Sequence, residues 1–288
     1  MITRFLYRIL CGFFLGISIV APGFSGSIIA ITMGVYEDLL RIMSNPFKQF
    51  KKNVIYLVPL AIGAAISAVL FVLIFKYLFD LYPKQTYLLF IGLIAGNLPI
   101  IFAEVKKCGF QKHYLIGGVG AFAAALAFGI FTVSIGSTTG SGTQQVVWHI
   151  LVLSGIAGGI TAVIPGMSVT MVLIVFGVYS NLLITAEQLL HLNFANVFPF
   201  AVFTVCALAG MVLSSKVIGI ILKKYPGFSN STILGFMTGA LIGILIQSLQ
   251  IDDPSFNWLL GCIMLAAGLA ISMLFVIIGK KVNKPEPE

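Results

Sequence analysis

A segment of 25 residues occurs twice in this chain, once in each half. Residues 16–40 align with residues 159–183 without a gap, at an offset of 143, and 12 of the 25 aligned positions are identical. Each copy contains Pro-Gly-x-Ser within an apolar stretch, at residues 22–25 and 165–168. A repeat of this length and spacing predicts a fold built from two duplicated halves.

The composition indicates that these halves lie in a membrane. Of the 288 residues, 59% are hydrophobic and only 9% are charged, which is too few charges to solvate the surface of a soluble domain of this size. Several apolar runs are about 20 residues long, enough to cross the hydrocarbon core as helices. The chain is therefore predicted to be an all-α, polytopic membrane protein. A helix break inside such a protein is tolerated where it is buried or lines a cavity.

Charge and cysteine content exclude several other classes. The net charge is +8, but the basic residues lie at the ends of apolar runs, as topology determinants do, so no nucleic acid partner is expected. The four cysteines are scattered and show neither metal-ligand spacing nor a disulfide framework, so neither a metal nor a cofactor is expected. No G-x-x-x-x-G-K-[ST] loop is present, which argues against direct use of ATP.

Each half is predicted to contain one helical hairpin and three spans. The first repeat covers residues 1–135 and the second covers residues 145–279. The predicted elements are a hairpin at 5–43 and spans at 54–79, 85–105 and 113–135, a linker at 136–144, a hairpin at 145–186 and spans at 195–222, 231–250 and 257–279, and a tail at 280–288.

The distribution of positive charge predicts that the two repeats have opposite orientations in the membrane. The N-terminal arm, the loop at 106–112, Lys223 and Lys224, and the C-terminal tail are basic, whereas the linker is uncharged and residues 145–186 contain no Lys or Arg. Under the positive-inside rule, both termini are cytoplasmic and the linker is outside.

The hairpin arms are short for a membrane span. Only 13 residues separate Arg8 from Pro22, and as a helix they rise about 20 Å, less than the roughly 30 Å hydrocarbon core. This length favours re-entrant hairpins whose tips lie near the middle of the membrane. The charge pattern is compatible with fully spanning arms as well, because two extra crossings leave every later loop on the same side.

The hairpin tips carry the candidate binding residues. Ser25 and Ser168 follow Pro-Gly and precede an apolar helical run, which is the position of an N-cap. The start of a helix offers unpaired N–H groups and the positive end of its dipole, and so suits a phosphate or carboxylate. The alternative is a plain turn. The candidate residues are Pro22, Gly23, Phe24, Ser25, Gly26, Ser27, Pro165, Gly166, Met167, Ser168, Val169 and Thr170.

Two further sets of residues have an expected role. Gly34 and Tyr36, like Gly177 and Tyr179, are interpreted as a helix-packing glycine and an interfacial tyrosine. Charged residues near the membrane surfaces are candidates for ion coupling or for attracting a substrate, with interfacial anchoring or snorkelling as the alternative. These are Glu37, Asp38, Arg41, Glu104, Lys76 and Lys216, the two lysines each lying 17 residues after a proline (Pro59 and Pro199).

The doubled Pro-Gly-x-Ser element, each copy followed by Gly-x-Tyr, resembles the polyprenyl-phosphate transporter family over essentially the whole chain. In the first half the family pattern falls on Pro22, Gly23, Ser25, Gly26 and Ser27. In the second half it falls on Pro165, Gly166, Ser168 and Thr170. The chain departs from the usual pattern at three positions: Ile19 replaces an Asp, Ser27 replaces the second Gly of the first motif, and Val169 replaces a Gly of the second.

The resemblance implies a function. It implies a flippase that returns undecaprenyl phosphate from the outer to the cytoplasmic leaflet of a bacterial plasma membrane after cell-wall polymer synthesis. Because a potential that is negative inside opposes an entering anion, a proton or sodium ion is expected as coupling partner if transport is uphill. The head of a C55 lipid phosphate needs a polar path through the membrane, whereas its tail can stay in the surrounding lipid. The groove that carries the head is therefore expected to open sideways between helices. The alternative is a secondary transporter of a small soluble anion. An enzyme such as a lipid phosphatase is not expected, because no Arg, His and Asp cluster lies near the motifs.

Overall fold

The structure is a computed structural model, and it describes residues 2–24, 26–44, 48–109, 112–134, 148–164, 167–194, 197–253 and 256–282. These residues form α-helices joined by short turns. The helices are α1 Ile2–Val20, α2 Gly26–Thr32, α3 Tyr36–Ser44, α4 Phe50–Leu81, α5 Pro83–Ala95, α6 Leu98–Lys107, α7 Lys112–Ser134, α8 Trp148–Val163, α9 Val169–Val175, α10 Tyr179–Leu190, α11 Val197–Lys224, α12 Pro226–Gln250 and α13 Trp258–Val282.

Six helical segments of the described residues are long and apolar enough to cross a bilayer. They are Phe50–Leu81, Pro83–Lys107, His113–Thr132, Val197–Ser215, Pro226–Gln250 and Trp258–Ile277. The apolar stretches of α1 and α8, at Phe5–Val20 and Trp148–Val163, are shorter. Their 16 residues rise about 24 Å as a helix, less than the roughly 30 Å core. The prediction of an all-α, polytopic membrane protein is confirmed.

The helices pack in pairs that are equivalent when the two halves are exchanged. Helix α1 packs along α4, and α8 packs along α11 in the same way. The first half's α7 packs along α12 of the second half, and the second half's α13 packs along α5 of the first. The halves are therefore intertwined, because each contributes one helix of every such crossed pair.

Glycines allow the close packing of these pairs, and their contacts show which residues of the two halves correspond. A Cβ on Gly16 would lie 2.5 Å from the Ala64 carbonyl oxygen, and one on Gly159 would lie 2.0 Å from that of Ala207. Small residues at helix contacts let two backbones approach in a membrane. Both members of the second contact lie 143 residues after those of the first, the offset of the duplicated segment.

This register changes the expected relationship between two lysines. With an offset of 143, Lys76 corresponds to Gly219. Lys76 and Lys216 lie at the same distance from Pro59 and Pro199, but they do not occupy equivalent positions. The glycine contacts align α4 with α11 at the offset of 143, and Lys216 lies three residues before the position that corresponds to Lys76. The side chain of Lys216 lies outside the described part of the chain.

Each hairpin contains a bend where the sequence predicts a continuous arm. Gly34 has φ +66° and Gly177 has φ +67°, a left-handed conformation that glycine adopts at no steric cost. The axes of α9 and α10 differ in direction by 115° across the second bend. The interpretation of Gly34 as a packing glycine is wrong, because no atom lies within 4 Å of the position of its Cβ.

Candidate functional site

The first tip is the turn between α1 and α2, and it rests on the backbone of α5. Gly23 has φ +83°, and a Cβ there would lie 2.6 Å from the Leu93 carbonyl oxygen. Both the conformation and the close approach require glycine. The Asn97 side chain donates hydrogen bonds to the Gly23 carbonyl oxygen and, at 3.0 Å, to that of Leu93. Ser25 lies outside the described residues, as does the side chain of Ser27.

The hydrogen bonds of Asn97 depend on a break that the sequence analysis missed. Residues 85–105 are predicted to form one span, and Pro83–Lys107 do form one segment of spanning length. The helix is nevertheless interrupted within it, because α5 ends at Ala95 and α6 begins at Leu98. Pro99 lies in the first turn of α6, where its missing N–H has no cost. The signal was the Gly-Asn-x-Pro sequence at residues 96–99, and the break places the Asn97 amide against the tip.

The second tip contains a buried hydroxyl group without a partner. Ser168 is the N-cap residue of α9, with extended backbone, as predicted. Its side chain makes no capping hydrogen bond, which differs from the expectation. The residue is 5% exposed, and its Oγ has no hydrogen-bond partner among the described residues. Because a buried unpaired hydroxyl is costly, this group is poised for a ligand. Pro165 and Gly166 lie outside the described residues.

The two tips are in contact. The Thr170 hydroxyl donates to the Ile19 carbonyl oxygen at 3.0 Å, and the Tyr179 hydroxyl donates to that of Val20 at 3.0 Å. These carbonyls end α1 and have no partner within their own helix. Thr170 therefore links the tips in addition to its predicted place in the second motif. Tyr179 is buried and links them too, so its interpretation as an interfacial tyrosine is wrong.

A cavity of about 350 Å³ lies where the tips meet. Its wall includes Ser18, Gly26, Tyr36, Met167 and Ser168. The Ser18 hydroxyl donates to the Leu15 carbonyl oxygen of its own helix at 2.6 Å, which leaves Ser168 as the buried hydroxyl of the described wall that has no partner. None of the described residues lining the cavity is charged.

The cavity reaches the protein surface at Ile19, which lines it and is 62% exposed. Val169 also lines it. These are two of the three positions at which the chain departs from the motif it resembles. The departures therefore make the wall of this cavity more apolar, and they leave hydroxyl and backbone groups to contact any polar ligand.

The charged candidates lie away from the tips, in pairs on single helices. Asp38 and Arg41 pair at 2.6 Å on α3, the helix whose first residue, Tyr36, lines the cavity. Glu104 pairs with Lys107 at 2.7 Å on α6. Lys76 likewise pairs with Asp80 on α4. Glu37 differs, because it is exposed and forms no ion pair with any described residue.

The chain is similar to known proteins over most of its length. The model of a family described as undecaprenyl phosphate translocase-like matches residues 15–254. A polyprenyl-phosphate transporter of Staphylococcus aureus is 26% identical over 242 residues, covering 82% of this chain and 85% of that protein. A polyprenyl-phosphate transporter of Vibrio cholerae serotype O1 is 24% identical over 257 residues, covering 84% and 77%. No solved structure matches the chain significantly.

The family match begins at Leu15 in α1 and ends just after α12. It therefore includes both tips, the whole second hairpin, the break at Asn97 and the cavity between the tips. Because it covers most of the chain, the resemblance drawn from the doubled motif is confirmed, and this protein belongs to the undecaprenyl phosphate translocase-like family.

Proposed function

We propose that this protein is a flippase that returns undecaprenyl phosphate from the outer to the cytoplasmic leaflet of a bacterial plasma membrane, where the carrier is reused in cell-wall synthesis. The names of the two relatives support a transporter of this lipid class. The observation that carries the proposal is the cavity between the touching tips, which is lined by Ser168, a residue whose buried hydroxyl has no hydrogen-bond partner among the described residues.

The phosphate head binds in the cavity through hydrogen bonds. Ser168 donates its hydroxyl, and backbone N–H groups near Gly26 and Val169 supply further donors at the starts of α2 and α9. Each of these helices has only seven residues, so local N–H and O–H groups contribute more than a long helix dipole. Hydrogen bonds to a charged acceptor are about twice as strong as neutral ones, and water competes poorly with them inside the protein.

Transport follows from binding at the contact of the two hairpins. If the repeats are inverted, as the loop charges predict, each tip enters the membrane from a different side. The phosphate then passes from one tip to the other without losing all of its hydrogen bonds, and both termini lie in the cytoplasm. Loosening of the contacts from Thr170 and Tyr179 to the end of α1 would open the cavity alternately to each side.

Inward movement of the head requires compensation of its charge. A membrane potential that is negative inside opposes an entering anion by about 2.3 kcal/mol per charge per 100 mV. A proton or sodium ion therefore accompanies the lipid when transport is uphill. A proton can travel on the phosphate itself, because the second pKa of a phosphate monoester is about 6. Glu37 is the protein's candidate to deliver it, since Asp38 and Glu104 are paired with basic side chains.

The test measures undecaprenyl phosphate at the outer surface of cells with and without this protein. Surface labelling of the lipid phosphate should show accumulation when the protein is absent, and separate collapse of the proton and sodium gradients should identify the coupling ion. Equal surface lipid in both strains would contradict the proposal. It would favour the alternative, a small-anion carrier, which uptake of radiolabelled phosphate into proteoliposomes would then detect.

A further inference from the structure

A second cavity, the apolar groove, lies between the α7–α12 pair and the α8–α11 pair. Its volume is about 390 Å³. Three polar residues lie in its wall, and each donates its hydroxyl to a carbonyl oxygen of its own helix: Thr161 to Gly158, Ser229 to Tyr225 and Thr232 to Phe228. The groove therefore presents no unsatisfied hydroxyl, and it suits an occupant that has no polar groups.

The apolar groove adjoins the cavity at the tips. Ile164 and Met167, on either side of the second Pro-Gly, line both spaces. At its other side the groove includes Ile221 and Phe228, which are 40% and 37% exposed. It therefore extends from the tips to the outer face of the helix bundle, where lipid surrounds the protein. An extended apolar chain can lie along this path with its polar end beside Ser168.

Among the described residues of the first half, phenylalanine rings lie where the groove would be expected. At the offset of 143, Ala157 in the groove wall corresponds to Phe14, and Met167 corresponds to Phe24. Both phenylalanines contact the ring of Phe275 on α13, with ring centroids 6.4 and 4.9 Å apart. The smaller cavity that remains there, about 180 Å³, is lined by these same rings. The groove is thus a property of one half, and small side chains keep it open.

We propose that the apolar groove binds the isoprenoid chain of the lipid whose phosphate lies at the tips, which rests on the proposed function. A chain in lipid is already apart from water, so moving it into the groove gains little hydrophobic energy. The groove acts through van der Waals contact and by holding the phosphate near Ser168 at a high effective concentration. A lipid with one chain and one phosphate fits a single groove leading to a single head site, whereas a phospholipid leaves one chain unaccommodated.

Two neighbouring alanines on α7 provide a matched test. Ala124 and Ala123 are both exposed, but Ala124 lines the groove and Ala123 does not. Ala124→Phe should weaken binding of both undecaprenyl phosphate and uncharged undecaprenol about tenfold, as measured by native mass spectrometry. Ala123→Phe should leave both affinities unchanged. Undiminished binding to Ala124→Phe would overturn the inference, and so would an equal loss of phosphatidylglycerol binding, which would indicate a general lipid site.

The same experiment separates this inference from the proposed function. Loss of undecaprenyl phosphate binding in Ser168→Ala alone, with Ala124→Phe unaffected, would support the head site and overturn the groove. Loss in Ala124→Phe alone, with Ser168→Ala unaffected, would support the groove and contradict the head site. If Ala124→Phe does not fold, a photoreactive group on the isoprenoid chain can be crosslinked to the unmodified protein. Labelling should fall on α7, α8 or α12, and labelling confined to α1, α4 or α13 would overturn the inference.

Discussion

The two halves of this protein share a repeat but pack differently around their tips. In the first half, the Asn97 amide is bonded to the Gly23 carbonyl, and phenylalanine rings fill the space between α1 and α13. In the second half, α12 is continuous, with Ala240 at the position of Asn97. An open apolar groove lies between α7 and α8, and the Ser168 hydroxyl has no partner among the described residues. The difference teaches that the two copies of the repeat have different surroundings, because a side-chain amide holds the first tip and small side chains leave space beside the second.

The largest expected effect concerns the anchored tip. Gly23→Ala should lower the free energy of unfolding by about 3 kcal/mol, because it adds left-handed strain and forces a methyl group against the Leu93 backbone. Gly34→Ala is the matched control, since its φ is similarly positive but no atom lies within 4 Å of the new methyl. It should cost only the strain, about 1–2 kcal/mol. Thermal unfolding in detergent should rank the two variants in this order, and equal losses would show that the tip is not held against α5.

Removal of the Asn97 amide should have the next largest effect. Asn97→Ala removes the donor to the part-buried Gly23 carbonyl oxygen, and loss of a hydrogen-bond partner for a group taken out of water costs about 1–3 kcal/mol. Asn230→Ala is the control, because that amide makes only a weak contact, 3.9 Å, with the Cys108 sulfur. If both substitutions lower the unfolding temperature equally, the first tip is not anchored as described.

The contacts between the tips should contribute less individually. Thr170→Val and Tyr179→Phe each remove one hydrogen bond to the end of α1, worth about 1 kcal/mol. Because the acceptors are adjacent carbonyls, the double variant should show a coupling energy of about 0.5 kcal/mol or more in a double-mutant cycle. Thr204→Val is the control, since its hydroxyl bonds only within α11. Additive losses would indicate that the two bonds act independently.

The sequence was sufficient to predict the elements that depend on local properties. Six apolar segments of spanning length, the turn at Pro22 and the N-cap position of Ser168 follow from hydrophobicity and from the stereochemistry of proline and glycine. The bends at Gly34 and Gly177 were missed because a glycine that packs against a helix and one with positive φ look the same in a sequence. The hydrogen bonds from Asn97 to Gly23 and from Tyr179 to Val20 were missed because their partners lie 74 and 159 residues away.

A groove that opens sideways was expected from the resemblance, but its place in the fold was not. Its existence depends on whether an alanine or a phenylalanine occupies corresponding positions of two halves, such as Ala157 and Phe14. Both residues are apolar and both suit a membrane helix, so neither hydrophobicity nor helix propensity distinguishes them. Only the packing of the folded halves shows that one side chain leaves a space and the other, against Phe275, fills it.

Replacement of one hydroxyl tests the central claim, that a lipid phosphate binds where the two tips meet. Ser168→Ala should not lower the unfolding temperature and should raise it slightly, because the buried hydroxyl has no partner among the described residues. It should weaken undecaprenyl phosphate binding about tenfold or more, since a hydrogen bond to a charged group contributes about 1.5–3 kcal/mol. Ser154→Ala, which removes a buried hydroxyl bonded to the Leu151 carbonyl oxygen, should leave binding unchanged. Wild-type affinity in a stably folded Ser168→Ala protein, measured by native mass spectrometry, would contradict the account.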